Sequence, residues 1–381
     1  MAPEPRFAAR EARVRIPAGL PPTLNGLVRP SPVTERGVRP AKWYEKLEGK
    51  RVRCLLCPWK CVLEPGRVGL CGVRANKDGE LFTLVYGLAS SIAIDPIEKK
   101  PLYHFYPGAP ILSISTVGCN FRCPWCQNWT ITRASPEKAW LEYLDPEGVV
   151  KLMKRYDVPF VAYTYNEPLI WYEYVEDVAK LVKEAGGFNV LVTNGYVNSE
   201  PLEELARYID AANVDVKAFN PLTYLKVIGG KLEPVLQNVK ALRERGVHVE
   251  LTYLVVPGVN DSAEEFGKLV RWVLDELGPE VPLHITRFFP AYKFVDRPPT
   301  PVETLLRFWE LARREGLHYV YVGNVPGQSG EYTYCPRCGK AVIKRFGFDI
   351  VEWNLTNDNR CKFCGAPVHV VGGRWRWTSR L

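Results

Sequence analysis

Short apolar runs alternate with longer amphipathic segments between residues 109 and 326 of the 381-residue chain. The short runs are rich in Val, Ile and Tyr, which is typical of β-strands, and the longer segments have helical periodicity. A strand followed by a helix, repeated about six times, predicts parallel strands joined by right-handed crossovers. The predicted fold class is α/β, a partial or complete (β/α) barrel of the TIM type. Its predicted strands are 111–117, 159–165, 189–193, 212–218, 248–256, 282–289 and 318–323.

Two segments between the predicted strands show the helical pattern clearly. In 168–185, apolar residues recur every three or four positions, and Gly186 follows as a residue that commonly ends a helix. In 261–277, Asp261 or Ser262 is placed to cap a first turn that carries two glutamates. In a (β/α) barrel the chemistry lies at the carboxyl ends of the strands. The residues that close each strand are therefore the candidate functional residues.

The regular alternation stops on both sides of the predicted barrel. The first segment is basic and proline-rich and has no sustained period, so we expect an extended N-terminal addition. The second is expected to be a four-cysteine metal module with a small sheet, because 81–86 and 89–94 are short β-like runs. The barrel and a C-terminal zinc ribbon follow. The predicted domain boundaries are 1–50, 51–108, 109–328 and 329–381.

The composition is that of a soluble globular protein, with 46% hydrophobic residues. No apolar run approaches the eighteen or so residues that span a bilayer, and the first residues lack the apolar segment of a signal peptide. Eleven cysteines fall into CxxC-type groups, which indicates metal ligands in a reducing compartment. We therefore predict a cytoplasmic protein without a membrane span. Three glutamines and one internal methionine resemble the composition of a thermophile's protein.

The positive charge is concentrated near the N-terminus. The net charge is +8, and residues 1–53 hold twelve Lys or Arg against five Asp or Glu, so +7 lies there. Nucleic acid is one partner that such a segment could bind. The absence of interleaved aromatic residues and the eight prolines in the first forty residues favour a solvated or draped arm instead.

Four cysteines lie together before the predicted barrel, with glycines that allow tight turns between them. Such a set can close a tetrahedral zinc site or hold an iron–sulfur cluster, and the spacing does not decide between the two. A structural metal is the simpler interpretation, and a redox-active second cluster is the alternative. The four residues are Cys54, Cys57, Cys61 and Cys71.

Two CxxCG knuckles lie near the C-terminus, with twenty-two residues between them. Each knuckle offers two thiolates from one turn, so the pair predicts a zinc ribbon, with a rubredoxin-like iron site as the alternative. The predicted ligands are Cys335, Cys338, Cys361 and Cys364. The tail 374–380 alternates cations with aromatic residues, a pattern that could stack on single-stranded nucleic acid or pack at the end of a domain. We favour packing.

The third cysteine group is Cys119, Cys123 and Cys126, which follows the first predicted barrel strand. Three thiolates from one loop can hold three irons of a [4Fe–4S] cluster and leave the fourth iron open to a ligand. This CxxxCxxC pattern, with aromatic Trp125 before the last cysteine, resembles the radical S-adenosylmethionine (SAM) superfamily. The resemblance implies that SAM binds the open iron and is cleaved reductively. It also implies an external low-potential electron donor and a 5′-deoxyadenosyl radical that abstracts hydrogen from a substrate.

The segment 96–327 is similar to the branch that contains the glycyl-radical-enzyme activases, through motifs such as GCNFRCPWCQN and TNG. With the four-cysteine block, the whole most resembles the radical SAM enzyme of the AmmeMemoRadiSam system, which implies two companion proteins as partners. The family's Gly-Gly-Glu motif is matched here only at its glutamate. The resemblance implies that Trp125 lies by the adenine of SAM. The other implied SAM-binding residues are Asn166, Glu167, Asn194, Asp215, Lys217, Gly323 and Asn324.

The sequence supports three alternative hypotheses about function. The first is a radical SAM enzyme acting on an unidentified small molecule, lipid, nucleic-acid base or protein. The second, within the same chemistry, is a glycyl-radical-enzyme activase. The third is a non-catalytic iron–sulfur or zinc protein that binds nucleic acid, which leaves the strand-end residues unexplained. His284 and Arg287 on the sixth predicted strand could face the cavity and contact the substrate, and a core position is an equal alternative for His284.

Overall fold

The computed structural model describes residues 36–325, 327 and 329–375. Most of the predicted N-terminal extension, including its proposed role as a draped or polyanion-binding arm, lies outside the described residues. In chain order the strands are β1 (Arg39–Pro40), β2 (Tyr44–Lys46), β3 (Val52–Cys54), β4 (Val62–Leu63), β5 (Arg74–Lys77), β6 (Glu80–Thr83), β7 (Leu88–Ala89), β8 (Ser91–Pro96), β9 (Pro110–Ser115), β10 (Glu142–Tyr143), β11 (Phe160–Tyr163), β12 (Phe188–Thr193), β13 (Ala211–Asp215), β14 (His248–Val255), β15 (Leu283–Arg287), β16 (Val320–Gly323), β17 (Thr333–Tyr334), β18 (Ala341–Phe346) and β19 (Asp349–Trp353).

The helices that connect the strands are amphipathic and bury one face against the sheet. Ser262 caps one of them, because its side chain accepts a hydrogen bond from the backbone N–H of Glu265. The helices are α1 (Trp129–Thr132), α2 (Pro146–Tyr156), α3 (Tyr172–Glu184), α4 (Ser199–Ala206), α5 (Pro221–Thr223), α6 (Leu232–Glu244), α7 (Ala263–Glu276) and α8 (Val302–Glu315). No described helix is long and apolar enough to cross a membrane.

An eight-stranded sheet forms the centre of the protein, in the order β8-β9-β11-β12-β13-β14-β15-β16. The seven strands from β9 to β16 in this order are parallel, as the alternation of strands and helices predicts. Every residue of β9 and β11 is buried, which is expected of strands covered on both faces. The predicted parallel α/β core is confirmed.

The second short run predicted for the small sheet lies elsewhere. Strand β8 pairs antiparallel with β9 along its whole length, from Ser91 opposite Ser115 to Pro96 opposite Pro110. It therefore extends the central sheet instead of the small sheet of the four-cysteine module. The reason is the connection 97–109, which folds back and returns the chain beside β8. Smaller antiparallel sheets join β1, β6 and β5, and β2, β3 and β4.

The C-terminal sheet β17-β18-β19 contacts the connection 97–109, which leads into the starting end of β9. Arg345 of β18 is buried, and it donates hydrogen bonds to the carbonyl of Tyr103 (2.8 Å) and to the hydroxyl of Thr333 (2.9 Å). Its guanidinium also lies 3.8 Å from the buried carboxylate of Glu98. Trp375 packs edge-on against Phe160 at the beginning of β11. The described part of the tail therefore contributes packing, and residues 376–380 lie outside the described chain.

A buried carboxylate joins the central sheet to the connection 97–109. Glu250 of β14 accepts hydrogen bonds from the backbone N–H groups of Tyr103 (3.0 Å) and His104 (2.7 Å). Its oxygens also lie 3.0 Å from Nε2 of His248 and 2.6 Å from Nε2 of His284. Burial alone would raise the pKa of Glu250, but the hydrogen bonds and charges of the two histidines hold this pKa well below its usual range. His284 thus belongs to the core network.

Replacing Glu250 with Gln is expected to lower the free energy of unfolding at pH 7 by about 2–4 kcal/mol, because the amide cannot accept from four donors. A carboxylate with a depressed pKa stabilises the folded state above the unfolded-state pKa of about 4.3, and this contribution is lost as the pH falls through the folded pKa. The difference between wild type and E250Q should therefore shrink below about pH 4. Urea unfolding of both proteins at several pH values measures this difference in unfolding free energy.

The matched control is Glu264→Gln, because the side chain of Glu264 is 77% exposed and pairs only with Lys268 on the helix surface. It should change the unfolding free energy by less than about 0.5 kcal/mol. A wild-type-to-E250Q difference that stays constant from pH 7 to pH 3 would contradict the assigned role of the carboxylate.

Candidate metal and cofactor site

The cysteine loop, residues 116–128, follows the carboxyl end of β9 and leads into α1. Near its start lies Gly118, whose φ of +92° is in the left-handed region. A Cβ at this position would lie 2.5 Å from the carbonyl oxygen of Cys71, so only glycine allows the two backbones to approach this closely. The loop is thereby held against the four-cysteine module.

Of the three cysteines of this loop, Cys123 is buried, and Cys119 and Cys126 are half-buried. Burial raises the pKa of Cys119 to about 12 and that of Cys123 to about 11. The Sγ atom of Cys119 accepts a hydrogen bond from the backbone N–H of Phe121 (3.4 Å), and the Sγ atom of Cys126 lies 3.3 Å from the hydroxyl of Thr132. The raised pKa values of Cys119 and Cys123 favour the protonated thiols, and a bound metal centre would deprotonate them.

Asn194, directly after β12, contacts the cysteine loop. Its side-chain amide donates to the Oδ1 atom of Asn120 (2.9 Å) and lies 3.8 Å from the Sγ atom of Cys119. Asn120 in turn donates to the carbonyl of Tyr196 (2.7 Å), and its own carbonyl accepts from the indole of Trp59 (2.9 Å). Asn120 therefore links the cysteine loop to the end of β12 and to the four-cysteine module, a role that the sequence did not indicate.

Glu167 lies after β11, and both of its carboxylate oxygens accept hydrogen bonds. Its two oxygens accept hydrogen bonds from the backbone N–H of Leu169 (3.0 Å), the hydroxyl of Thr193 (2.6 Å) and the backbone N–H of Asn194 (2.7 Å). Burial raises the pKa of Glu167 to about 7, although these hydrogen bonds act in the opposite direction. The carboxyl group thus joins the ends of two neighbouring strands.

Asn166 holds the cysteine loop in place. Its Oδ1 atom accepts from the backbone N–H of Thr116 (3.2 Å), and its Nδ2 atom donates to the carbonyl of Gly118 (3.1 Å). The preceding residue, Tyr165, has a φ of +68°, an unfavourable conformation for a bulky side chain. At the position where the resemblance implies a glycine, this chain has an asparagine whose side chain positions the loop.

Asp215 closes β13, and its carboxylate lies 2.8 Å from Nζ of Lys217. Burial alone would lower the pKa of Lys217, but the charges of Asp215 and of the cysteine thiols hold this pKa above its usual value. In return, the Lys217 charge opposes the rise in the pKa of Cys123. The Lys217 ammonium group thus lies beside the cysteine loop.

Three further predicted residues lie at the same end of the sheet, Trp125 in the cysteine loop and Gly323 and Asn324 at the end of β16. Trp125 is buried and packs against Phe294, with ring centroids 5.9 Å apart. Asn324 has a φ of +61° and donates to the carbonyl of Arg287 (3.0 Å). A Cβ at Gly323 would lie 2.9 Å from the side chain of Thr286. Among the described residues, no hydrogen bond joins Gly323 or Asn324 to the cysteine loop.

Arg133 is a second residue that the sequence did not single out. It follows α1, and one of its guanidinium nitrogens donates to the carbonyl of Phe121. Its Nε and Nη1 atoms are buried and have no partner within the described chain. Its charge opposes the rise in the pKa of both Cys119 and Cys123. Buried, unpaired cationic donors beside three thiols fit an anionic group that completes the site.

The predicted ribbon cysteines converge closely. The Sγ atoms of Cys335 and Cys364 are 3.6 Å apart, and those of Cys338 and Cys361 are 3.7 Å apart. All four lie within 4.8 Å of one another and could hold a metal ion. Four ligands from two knuckles saturate a tetrahedral centre.

The four cysteines of the N-terminal module surround one cavity that is also lined by apolar side chains. Cys54 ends β3, while Cys57 and Cys61 lie in the loop before β4. Cys71 lies in the turn before β5. The backbone N–H of Cys54 donates to the carbonyl of Cys61 (2.9 Å), which closes the loop between them. The chain thus folds all three cysteine groups into separate sites.

Comparison with known proteins adds a family to this geometry. A family model for the radical SAM superfamily matches residues 113–273, from β9 into α7. The uncharacterized protein MJ0808 of Methanocaldococcus jannaschii is 46% identical over 335 residues, covering 88% of this chain and 100% of that protein. The pyruvate formate-lyase-activating enzyme of Clostridium pasteurianum is 28% identical over 160 residues, covering 40% of this chain.

The match spans 65% of the length of that activating enzyme. Among solved structures, a radical SAM methyltransferase from Sphaerobacter thermophilus aligns with a TM-score of 0.46 and 19% identity, over 60% of this chain and 71% of that one.

Proposed function

Because the chain belongs to the radical SAM superfamily, we propose that it cleaves SAM reductively and uses the resulting 5′-deoxyadenosyl radical to take a hydrogen atom from a substrate. The observation that carries this proposal is the loop of Cys119, Cys123 and Cys126 at the carboxyl end of β9. The other eight cysteines form two groups of four, each able to saturate a metal centre. The three-thiol site leaves one coordination position for a ligand.

The residues around this loop have distinct roles in the proposal. The three cysteines would hold a [4Fe–4S] cluster, which supplies one-electron reduction of SAM when it is bound. Arg133 and Lys217 would offset the negative charge that the thiolates bring into a buried site. Asn166 fixes the start of the loop, and Asn194 fixes its contact with β12. These residues hold the loop rigid, which a site needs to orient a cofactor.

The SAM contacts implied by the resemblance remain part of the proposal. Asn194, Asp215 and Lys217 close or follow neighbouring parallel strands, and this shared position supports a common ligand there. We propose that the parallel sheet is a partial TIM-type barrel whose mouth binds SAM. Trp125, Gly323 and Asn324 would then lie toward the adenine. Radical SAM enzymes require an external reductant, and this chain needs one as well.

Two classes of substrate are considered, a protein and a smaller molecule. The activating enzymes that match 40% of this chain support glycyl-radical activation of a protein as one form of the activity. The resemblance to the AmmeMemoRadiSam system supports its two companion proteins as partners. Co-purification of the companions with the full chain, followed by mass spectrometry of SAM-treated mixtures, tests whether a companion is modified.

Anaerobic SAM cleavage tests the proposed function. The purified chain is reconstituted with iron and sulfide, reduced with titanium(III) citrate and mixed with SAM, and 5′-deoxyadenosine and methionine are measured by mass spectrometry. Both products are expected in equal amounts. Their absence from protein with a full iron content would overturn the proposal and favour a non-catalytic metal protein that binds nucleic acid.

The ribbon is proposed to hold zinc. A zinc–sulfur bond of about 2.3 Å in a tetrahedron places the ligand sulfurs about 3.8 Å apart, close to the 3.6 and 3.7 Å observed. Replacing Cys338 with alanine is expected to remove about one zinc per chain and to leave the iron content unchanged, because the ribbon ligands are separate from the other cysteines. Elemental analysis measures both metals. Loss of iron instead would indicate a rubredoxin-like site.

A further inference from the structure

The four-cysteine module differs from the ribbon in the spacing of its thiols. In the ribbon, all four sulfurs lie within 4.8 Å of one another. Nowhere else in residues 36–325, 327 and 329–375 do three Cys, His, Asp or Glu ligand atoms come together so closely. Cys54, Cys57, Cys61 and Cys71 nevertheless line one cavity. These four thiols do not meet the 4.8 Å spacing of the ribbon, and a wider spacing fits a multinuclear centre better than a single zinc ion.

The surroundings of the cavity are those of a protected redox centre. Its walls include Leu56, Leu63 and Ile170, all of which are buried, and the indole of Trp59. The buried guanidinium of Arg74 also lines it and supplies a positive charge beside the thiols. A low-polarity shell and a nearby cation are features that adjust the reduction potential of an iron–sulfur cluster.

The module is in direct contact with the cysteine loop. The indole N–H of Trp59 donates to the carbonyl of Asn120 (2.9 Å), next to Cys119. Arg122 donates to the carbonyl of Leu70 (2.6 Å), next to Cys71. The glycine at position 118 allows the close backbone contact with Cys71 described above. Each contact therefore joins a residue within two positions of a cysteine in the four-cysteine module to a direct neighbour of a cysteine in the cysteine loop.

We propose that Cys54, Cys57, Cys61 and Cys71 hold a second iron–sulfur cluster that relays electrons to the centre held by Cys119, Cys123 and Cys126. The relay rests on the proposed function, because SAM cleavage consumes the electron. A one-electron, low-potential donor protein is oxidised and the second cluster is reduced. The second cluster then passes the same electron to the SAM-binding centre and returns to its oxidised state. Cys57 and Cys61 are only partly buried, so this site offers the donor an entry point.

Metal content tests the first half of the proposal without reference to activity. The full chain carrying Cys119→Ala, Cys123→Ala and Cys126→Ala is reconstituted anaerobically with iron and sulfide. About four irons and four sulfides per chain are expected to remain, with an electron paramagnetic resonance signal after reduction. Zinc in place of iron, or no retained metal, would overturn the proposal. In wild type, about eight irons per chain are expected, and about four would overturn it even if the triple variant fails to fold.

The relay itself is tested by comparing two reductants. A Cys57→Ala, Cys61→Ala variant should still cleave SAM with titanium(III) citrate, a small reductant that reaches the SAM-binding centre directly. Its rate with a reduced ferredoxin or flavodoxin should fall at least about tenfold relative to wild type, because the intermediate electron carrier is absent. Equal rates with the protein donor would overturn the relay. Failure of the proposed function differs, because wild type would then cleave no SAM with either reductant.

Discussion

Replacing Cys123 with alanine is expected to lower 5′-deoxyadenosine formation by about 10³-fold or more, because the cofactor that supplies the chemistry loses one of three ligands. The variant should also bind about four fewer irons per chain than wild type. Cys123 is buried within the cysteine loop and lies beside the charge of Lys217. Iron analysis and mass spectrometry of the SAM products measure both effects.

The matched control is Cys364→Ala in the ribbon. It removes one buried or half-buried thiol, as Cys123→Ala does, from a site at the other end of the strands. This variant should lose zinc while its iron content and its 5′-deoxyadenosine formation stay within about twofold of wild type. Comparable SAM cleavage by the two variants would refute the assignment of Cys123 as a cluster ligand.

Replacing Arg74 with methionine is expected to lower the free energy of unfolding by about 3–5 kcal/mol, because it leaves a buried carboxylate without its partner. Arg74 is only 1% exposed and donates two hydrogen bonds of 2.9 Å to Glu173, one to each oxygen. It also donates to the carbonyl of Lys42 (2.7 Å). This pair joins β5 of the four-cysteine module to α3 beside the central sheet. Anaerobic urea unfolding measures the loss.

Two further variants show whether charge or shape causes that loss. The double variant Arg74→Met, Glu173→Leu should recover most of the stability, since no unpaired charge stays buried. Arg53→Met removes an arginine from a half-exposed pair with Glu45 in the same module and should cost less than about 1 kcal/mol. If the double variant were less stable than Arg74→Met, the argument from the unpaired carboxylate would be wrong.

The sequence predicted the central sheet well, because its signals are local. The seven predicted strands are all present within three residues of their predicted bounds, and α3 and α7 lie inside the predicted helical segments. Periodicity records which faces of each element are buried, and buried faces are what parallel strands and their covering helices require. The pairing of β8 with β9 was missed, because antiparallel pairing depends on the path of the connection between two runs.

The cysteine groups were also visible in the sequence, but the residues that position them were not. Asn120 contacts Trp59, 61 positions away, and Asn194, 74 positions away, so no sequence spacing indicates either contact. In the sequence, nothing distinguishes Arg133 from an ordinary surface residue after a short helix. Only the folded chain shows that two of its nitrogens are buried without partners in the part of the molecule described. The SAM contacts implied by the resemblance stay predictions.

The position of the ribbon has a consequence for how the molecule opens. The ribbon contacts the starting ends of the strands, and the cysteine loop follows their carboxyl ends. The eight residues of β14 alone span about 26 Å between these ends. Transient unfolding of the ribbon would therefore expose its own amides and leave the thiol loop closed. Hydrogen exchange should be faster in β18 and β19 than in β9 to β14, so heat would open the molecule from the end farthest from its chemistry.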